Sequence, residues 1–447
     1  MMRSSYKRIL LVNPGRNKML LGWHEPLNLA LLASFIRSKG FSVLIADRQA
    51  GEDVIQKYND FKPDIVGVTS TIFFIQEAYN IAEYFRERKV PTVLGGAHAA
   101  ICAEEALNKF DMVVKGEGEF PLLKILSEGH ERGIFFSDKV VDINQMPLPA
   151  RDLLCMRLYL AKRQRFPHHS GFICFPWNAR VPCVMISRGC SGACAFCHNT
   201  LEGLPFRIYS PDKVVEELSV LKDIYKTKYF VFSDENIFSN RKKIKEILSA
   251  IASSGLNMNW GAMARVDSVD EEILEMARRA GCIKLIFGFE SGSQRMLDDM
   301  NKRTKVDTAY RVVSLCRKHR IKVGGFFIVG HPNEEMADVR LTRNMIKRLR
   351  LDSIAVDIAM TYPATPWWKI AEERKLIPKR IEWDKFDAER MPIKLNQVFS
   401  VKEMKKIQLS YYGDAFWANP GYLWRIILAI TFNFETFKKG LQRLLHK

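Results

Sequence analysis

The sequence predicts an α/β protein made of two successive parallel-sheet units. A doubly wound (Rossmann-like) sheet is followed by a partial (βα)6, TIM-like barrel and then by a C-terminal helical region. Short apolar runs alternate with amphipathic segments from about residue 8 to 128, and again six times from Cys183 to Met360, the rhythm of strand–helix–strand crossovers. Between these stretches, Met146-Pro147-Leu148-Pro149-Ala150-Arg151-Asp152 carries two prolines one residue apart, which force extended backbone and mark a boundary. The expected divisions are therefore 1–145, a linker over 146–180, a barrel over 181–365 and helices over 366–447.

In the first unit the expected strands are Ile9–Val12, Ser42–Ala46, Ile65–Thr69, Thr92–Leu94 and Met112–Val114, with helices over Leu27–Lys39, Ile75–Arg88 and Ala103–Phe110. Ligands of such sheets sit beyond the carboxyl ends of the strands. The loops there are Asn13-Pro14-Gly15, Ser70-Thr71, Gly95-Gly96-Ala97-His98 and Gly116-Glu117-Gly118-Glu119. Their glycines let backbone approach a bulky ligand closely. No GxGxxG follows the first strand, which argues against a dinucleotide.

The chain has 447 residues, 47 % hydrophobic and 26 % charged, a composition that excludes whole-chain disorder. The apolar run of MMRSSYKRILLVNPG stops at Pro14 without a small-residue cleavage site and reads as a buried strand rather than a signal peptide. Nine cysteines are too few for a disulfide scaffold. A reducing, cytoplasmic compartment is expected, where grouped cysteines mean metal or redox chemistry. The net charge of +18 suits an acidic protein or a membrane surface. The basic residues are not interleaved with stacking aromatics, so no nucleic-acid partner is expected.

Cys190, Cys194 and Cys197 share one glycine-containing loop after a strand, with three and two residues between them. That spacing lets three thiolates meet one face of a cubane cluster and leaves the fourth iron open. A zinc site completed by His198 is the alternative, although a residue adjoining Cys197 does not easily turn onto the same metal. Cys102, Cys155, Cys174, Cys183, Cys282 and Cys316 are scattered and read as core or spare thiols, with Cys174 and Cys183 also considered as active-site lining.

The expected barrel strands are Cys183–Ser187, Tyr229–Phe232, Asn259–Ala264, Ile283–Gly288, Lys322–Val329 and Ser353–Ala359. Helices such as Pro211–Tyr225, Lys242–Ser253 and Asp270–Ala280 fill the gaps. Barrel chemistry occurs at the carboxyl ends of the strands. Those ends read Ser233-Asp234-Glu235-Asn236, Arg265-Val266-Asp267, Gly288-Phe289-Glu290-Ser291-Gly292-Ser293 and Gly330-His331-Pro332, the last preceded by apolar Phe327-Ile328-Val329.

The cysteine loop resembles that of the radical S-adenosylmethionine (SAM) superfamily. Through Pro26-Leu27-Asn28-Leu29-Ala30, Gly95-Gly96-Ala97-His98 and Gly116-Glu117-Gly118-Glu119, the first unit resembles the cobalamin-binding domain that precedes many radical enzymes. The resemblance covers about residues 1–365 and implies a 4Fe-4S cluster on Cys190, Cys194 and Cys197. The open iron of that cluster would chelate SAM, and reduction would yield a 5′-deoxyadenosyl radical. It further implies that Asp234 and Glu235 hold the methionine amino group, and that Arg265 forks onto a carboxylate. Glu290 and Ser291 would contact ribose and amino acid, and Phe196 would pack on the adenine side. Cobalamin would lie against Asn13, Ser70, Thr71, Gly95, Gly96, His98, Gly116, Glu117, Gly118 and Glu119. The Asp-x-His-x-x-Gly motif that supplies a cobalt ligand elsewhere is absent. The resemblance therefore implies a base-off form without a histidine ligand, with His98 as a hydrogen-bonding residue.

The implied function is methylation of an unactivated carbon of a small molecule, with electrons from an acidic carrier such as flavodoxin or ferredoxin. Non-methylating ring formation is the alternative enzyme reading, and a cobalamin or iron–sulfur sensor without turnover the non-enzymatic one. In the tail, Tyr422–Phe434 is apolar, but the uncharged run between Arg425 and Glu435 is too short to span a membrane. Trp417, Tyr422 and Trp424, followed by Lys438, Lys439, Arg443 and Lys447, suit a helix in a membrane interface, or equally one that closes the barrel. The apolar tail points to a lipid or other hydrophobic substrate.

Overall fold

The computed structural model describes residues 5–15, 24–137, 139–161, 175–176, 179–198, 205–386, 393–419 and 421. They fall into two compact units. The first holds six parallel strands: β1 Arg8–Asn13, β2 Ser42–Asp47, β3 Ile65–Thr69, β4 Thr92–Gly95, β5 Met112–Lys115 and β6 Gly133–Phe136. Their order across the sheet is β2-β1-β3-β4-β5-β6. The crossovers are α1 Leu27–Ser38, α2 Val54–Phe61, α3 Ile75–Arg86, the short α4 Ala97–Ile101 and α5 Ala103–Ala106, and α6 Glu119–Glu128. The near-continuous apolar runs of β1 and β3 are buried because helices cover both faces of such a sheet. The strand order reverses between β1 and β3, which opens a crevice at their carboxyl ends.

Two differences from the sequence reading have physical causes. The stretch Ala103–Phe110, expected as one helix, is helical only over α5 (Ala103–Ala106), and a separate short helix, α4, precedes it, starting after Gly96 in a positive-φ turn (φ 91°) and ending before Cys102. The sixth strand, β6, lies outside the sequence expectation, since Gly133-Ile134-Phe135-Phe136 lacks alternation and lies at an edge. The stretch around Pro147 is not a loose connection. Ser34 Oγ donates to Leu148 O at 2.6 Å, Ala150 N donates to Ala30 O at 3.0 Å and Arg37 pairs with Asp152, so residues 146–153 lie along α1. The following helix, α7, spans Met156–Ala161.

The barrel unit holds β7 Cys183–Val184, β10 Tyr229–Phe232, β11 Asn259–Ala264, β12 Cys282–Glu290, β13 Lys322–Val329 and β14 Ser353–Ile358. All six are parallel, in the order β14-β13-β12-β11-β10-β7. The expected strand Cys183–Ser187 is shorter than its apolar run. Backbone pairing changes partner after Val184, where Ser187–Arg188 (β8) pairs antiparallel with Arg207–Ile208 (β9). Helices α8 Pro211–Asp223, α9 Arg241–Ser253, α10 Glu271–Arg279, α11 Gln294–Asp299, α12 Val306–Lys318 and α13 Met336–Leu349 make the crossovers. Serine, asparagine and aspartate caps start three of them: Ser210, Asn240 and Asp270 each accept from a backbone N–H in the first turn.

The region expected as one helical domain, 366–447, is divided. Helices α14 Pro366–Glu373 and α15 Val401–Ala418 belong to the barrel unit, α15 being held to α13 by Asp414 with Arg343 and Lys347. Residues 377–386 belong to the first unit, where Trp383 packs edge-on to His98 at 5.0 Å and donates Nε1–H to Glu105 at 3.3 Å. Tyr422–Phe434, the basic residues after it and Cys174 lie outside the described residues. No described helix is long and apolar enough to cross a membrane.

Trp383 is buried in this strap, whereas Trp417 at the end of α15 is 82 % exposed. Trp383→Ala is expected to destabilise the first unit by about 3–5 kcal/mol, and Trp417→Ala to change stability by less than about 0.5 kcal/mol, both read as shifts in denaturant midpoint.

Candidate active site

The cysteine loop follows β8 and has no regular structure of its own, so neighbouring chain must hold its shape. Ala195 N donates to Met300 O at 2.8 Å, Asn301 Nδ2 donates to Ala193 O at 2.8 Å, and Trp367 N donates to Ala195 O at 3.2 Å. A Cβ built on Gly192 would lie 3.5 Å from Cys190 Sγ, 3.8 Å from Cys194 Sγ and 3.3 Å from Arg265 Nη1. The two sulfurs and the guanidinium therefore crowd around the one residue without a side chain. Cys194 is buried, while Cys190 and Cys197 are half-buried, so the loop is reachable from solvent. The Gly192 N–H donates to Cys190 Sγ at 3.3 Å. Thiolate sulfurs of clusters accept such hydrogen bonds, and the loop fits a three-cysteine cluster.

Around the loop the structure assembles some of the expected residues and not others. Arg265 donates Nη1–H to Cys194 Sγ at 3.6 Å, Nη2–H to Lys302 O at 2.6 Å, and grips Asp267 with Nε and Nη2 at 3.0 and 2.8 Å. The fork expected to reach a ligand carboxylate is thus occupied by Asp267. Glu290 lies at a bulge in β12 with φ 62°, a conformation that non-glycine residues rarely adopt and that concentrates at functional sites. Its carboxylate accepts from Lys302 Nζ at 2.6 Å, both side chains being buried, and that ammonium sits 5.8 Å from the centre of the Phe196 ring. Phe196 packs at 5.5 Å on Trp367, which in turn packs at 5.3 Å on His331. His331 Nε2 and Trp367 Nε1 are buried with no hydrogen-bond partner among the described residues, leaving donor capacity beside the loop for a polar ligand such as SAM.

Asp234 is turned elsewhere. Its carboxylate accepts from Ile186 N, Ser187 N and Ser187 Oγ, the last two at 2.6 and 2.5 Å, and burial pushes its pKa up to about 7. It fixes the chain between β7 and β8, ahead of the cysteine loop. Glu235, next to it, is exposed. Ser291 is bound to Thr342 of α13 at 3.1 Å and to Ser293 N at 3.1 Å, anchoring the turn after β12. Lys302, Asn301 and Trp367 escape the sequence reading, because a lone lysine in a loop and a tryptophan after a proline carry no motif.

In the first unit the expected loops do line the carboxyl ends of the strands. Open space lies above Gly95 and Gly116, where an added Cβ would meet nothing within 4 Å, which suits a bulky cofactor resting on backbone. Gly96 is obligatory for another reason, since a Cβ there would lie 2.7 Å from Thr69 Oγ1. Asn13 donates to Asp47 at 2.9 Å, Ser70 Oγ donates to Thr71 O at 2.8 Å, and Thr71 is exposed. Glu117 accepts from Val141 N at 3.4 Å, Gly118 stands at the N-cap of α6 and Glu119 is buried in its first turn.

His98 is buried in a side-chain group: its side chain is 1 % exposed, and Nε2 lies 3.2 Å from Tyr79 OH and 3.1 Å from Glu105 Oε2. Tyr79 OH also donates to Glu105 at 2.6 Å, so the group is satisfied internally. Cys102 comes near His98 and Glu105, but burial and the neighbouring carboxylates push its thiol up to about 12. Cys183, Cys282 and Cys316 are buried and Cys155 half-buried.

Asp234→Asn replaces one accepting oxygen by an amide NH2 among backbone N–H donors, and this variant is expected to lose about 1–3 kcal/mol of stability in chemical denaturation. Burial lowers the His331 pKa to about 4 from an unfolded 6.5. The unfolded chain therefore takes up a proton first, and stability is lost as pH falls from about 6.5 to 4. His331→Gln should flatten that part of the denaturation-against-pH curve.

Comparisons with known proteins identify the family. The Radical SAM superfamily profile matches residues 184–346, and the B12 binding domain profile matches residues 19–126. An uncharacterized methyltransferase of Pyrococcus horikoshii is 30 % identical over 440 residues, covering 91 % of this chain and 92 % of that protein. The anaerobic magnesium-protoporphyrin IX monomethyl ester cyclase of Rubrivivax gelatinosus is 28 % identical, covering 80 % of this chain and 68 % of the cyclase. Among solved structures, the radical SAM methyltransferase TsrM of Kitasatospora setae, with cobalamin and a [4Fe-4S] cluster bound, shares the fold with a TM-score of 0.66 at 19 % identity, covering 83 % of this chain and 76 % of that one. The chain belongs to the radical SAM superfamily, among the enzymes that join a B12-binding domain to the radical SAM domain and use a 4Fe-4S cluster, SAM and cobalamin.

Proposed function

We propose that this enzyme methylates an unactivated carbon of a hydrophobic small molecule. The observation that carries methyl transfer is the relative at 30 % identity across nine-tenths of the chain, which is named a methyltransferase. When bound, the cofactors supply a low-potential electron, a 5′-deoxyadenosyl radical and a methyl donor. The chain's own part is to hold and orient them. Cys190, Cys194 and Cys197 would hold the cluster and leave one iron for SAM. Glu290 and Lys302 form a buried, neutral pair whose polar ends suit the amino-acid part of SAM, and His331 and Trp367 offer N–H donors behind Phe196. Asn13, Ser70, Thr71, Gly95, Gly96, Gly116, Glu117, Gly118 and Glu119 surround the cobalamin face. His98 would stay within its hydrogen-bonded group with Tyr79 and Glu105 rather than be offered to the cofactor.

The exposed Trp417, followed in sequence by the apolar Tyr422–Phe434 and four basic residues, favours a lipid or lipid-like substrate met at a membrane face. The net charge of +18 favours an acidic electron carrier of the flavodoxin or ferredoxin kind. The second reading, oxidative ring formation, is favoured by the 28 % identity to a cyclase.

Reconstituted anaerobic enzyme with SAM and a reductant should release 5′-deoxyadenosine, and Cys197→Ala should release none; full activity of that variant would sink the cluster assignment. Mass spectrometry of host extracts with and without the enzyme separates the two reactions. A product heavier than its precursor by one methylene supports methylation, and one that has only lost hydrogen supports cyclisation.

A further inference from the structure

We propose that Arg265 sets the reduction potential of the cluster held by Cys190, Cys194 and Cys197, by donating its Nη1–H to the sulfur of Cys194. The inference rests on the cluster reading above and adds a role for a residue that the sequence assigned to gripping a carboxylate. The guanidinium has two functions to divide among its nitrogens. Nε and Nη2 are taken by Asp267, at 3.0 and 2.8 Å, and Nη2 also donates to Lys302 O at 2.6 Å. These bonds fix the plane of the group. Nη1 is left pointing at Cys194 Sγ, 3.6 Å away. Gly192 makes the approach feasible, because a Cβ there would come within 3.3 Å of Nη1.

The electrostatics give the sign. Reduction adds one negative charge to the cluster, and a cationic donor on a ligand sulfur stabilises the reduced form more than the oxidised form. The potential is therefore raised by Arg265. The nearby charges are few and mostly paired. Lys302 is neutralised by Glu290, and Asp267 offsets part of the Arg265 charge from the side away from the sulfur. The Gly192 N–H on Cys190 supplies a second donor, but it comes from backbone and does not depend on a side chain. Arg265 is the tunable member of the pair. It is a positioning and tuning residue rather than a catalytic one, acting on the ease with which the cluster accepts its electron.

The test is an EPR-monitored redox titration of the anaerobically reconstituted full-length chain without SAM, with iron and sulfide content measured on each sample. Arg265→Met removes the donor and the charge at similar length. At the wild-type midpoint potential it should show about a tenfold lower ratio of reduced to oxidised cluster, equivalent to about 59 mV for a one-electron couple. Asp267→Asn leaves the Arg265 cation uncompensated and should move the ratio the other way. Full iron content in Arg265→Met with an unmoved or raised potential would overturn the proposal. If Arg265→Met does not retain iron, Asp267→Asn decides: a raised potential supports the role, and an unmoved or lowered one overturns it. Wild-type protein that assembles no cluster would fail the cysteine assignment itself, a result visible in the iron analysis before any potential is measured.

Discussion

The loop of Cys190, Cys194 and Cys197, proposed to present three thiolates to a single cluster, has no helix or strand to shape it. What gives the loop its form is a set of hydrogen bonds to chain far away in sequence: Met300 O, Asn301 Nδ2 and Trp367 N. The rest of the barrel's upper end follows from where those partners come from. Met300 and Asn301 lie just past α11, so β12 must deliver that helix at the right height, and the bulge at Glu290 adjusts it. Lys302, the next residue, then brings its ammonium near Phe196 and onto Glu290. One tether thus carries loop shape, charge compensation and aromatic packing together.

The first unit is organised around two polar hubs. Asp47 at the end of β2 accepts from Asn13, from Gln49 N and from Tyr159, tying the ends of β1 and β2 to α7. Tyr79, His98 and Glu105 form the other hub, closed by Trp383. Buried polar groups of this kind are costly unless all members are satisfied, and here they are satisfied by one another.

Most of the fold is legible in the sequence because parallel sheets write continuous apolar runs between amphipathic helices. Strands β10, β11 and β13 fall where the pattern places them. β6 escapes because an edge strand of four residues has no alternation to read, and β7 reads too long because apolar residues stay buried after pairing has changed partner. At the site, the cysteine spacing is local and therefore readable. Asp234 misleads for the opposite reason: a carboxylate at a strand end looks the same in sequence whether it faces a ligand or caps its neighbour's backbone. Lys302 and Trp383 act through contacts that only the folded chain creates.

The strap that carries Trp383 also bears on biogenesis. The first unit is complete only when residues 377–386 reach it, yet its sheet is finished by residue 136. At translation rates of about 5–20 residues per second, the surface of His98 and Tyr79 stays uncovered for roughly ten seconds or more while the barrel is being made. The nascent amino-terminal sheet is thus an unfinished structure waiting for its own distal chain, and the vulnerable period is set by the length of the barrel that separates the two.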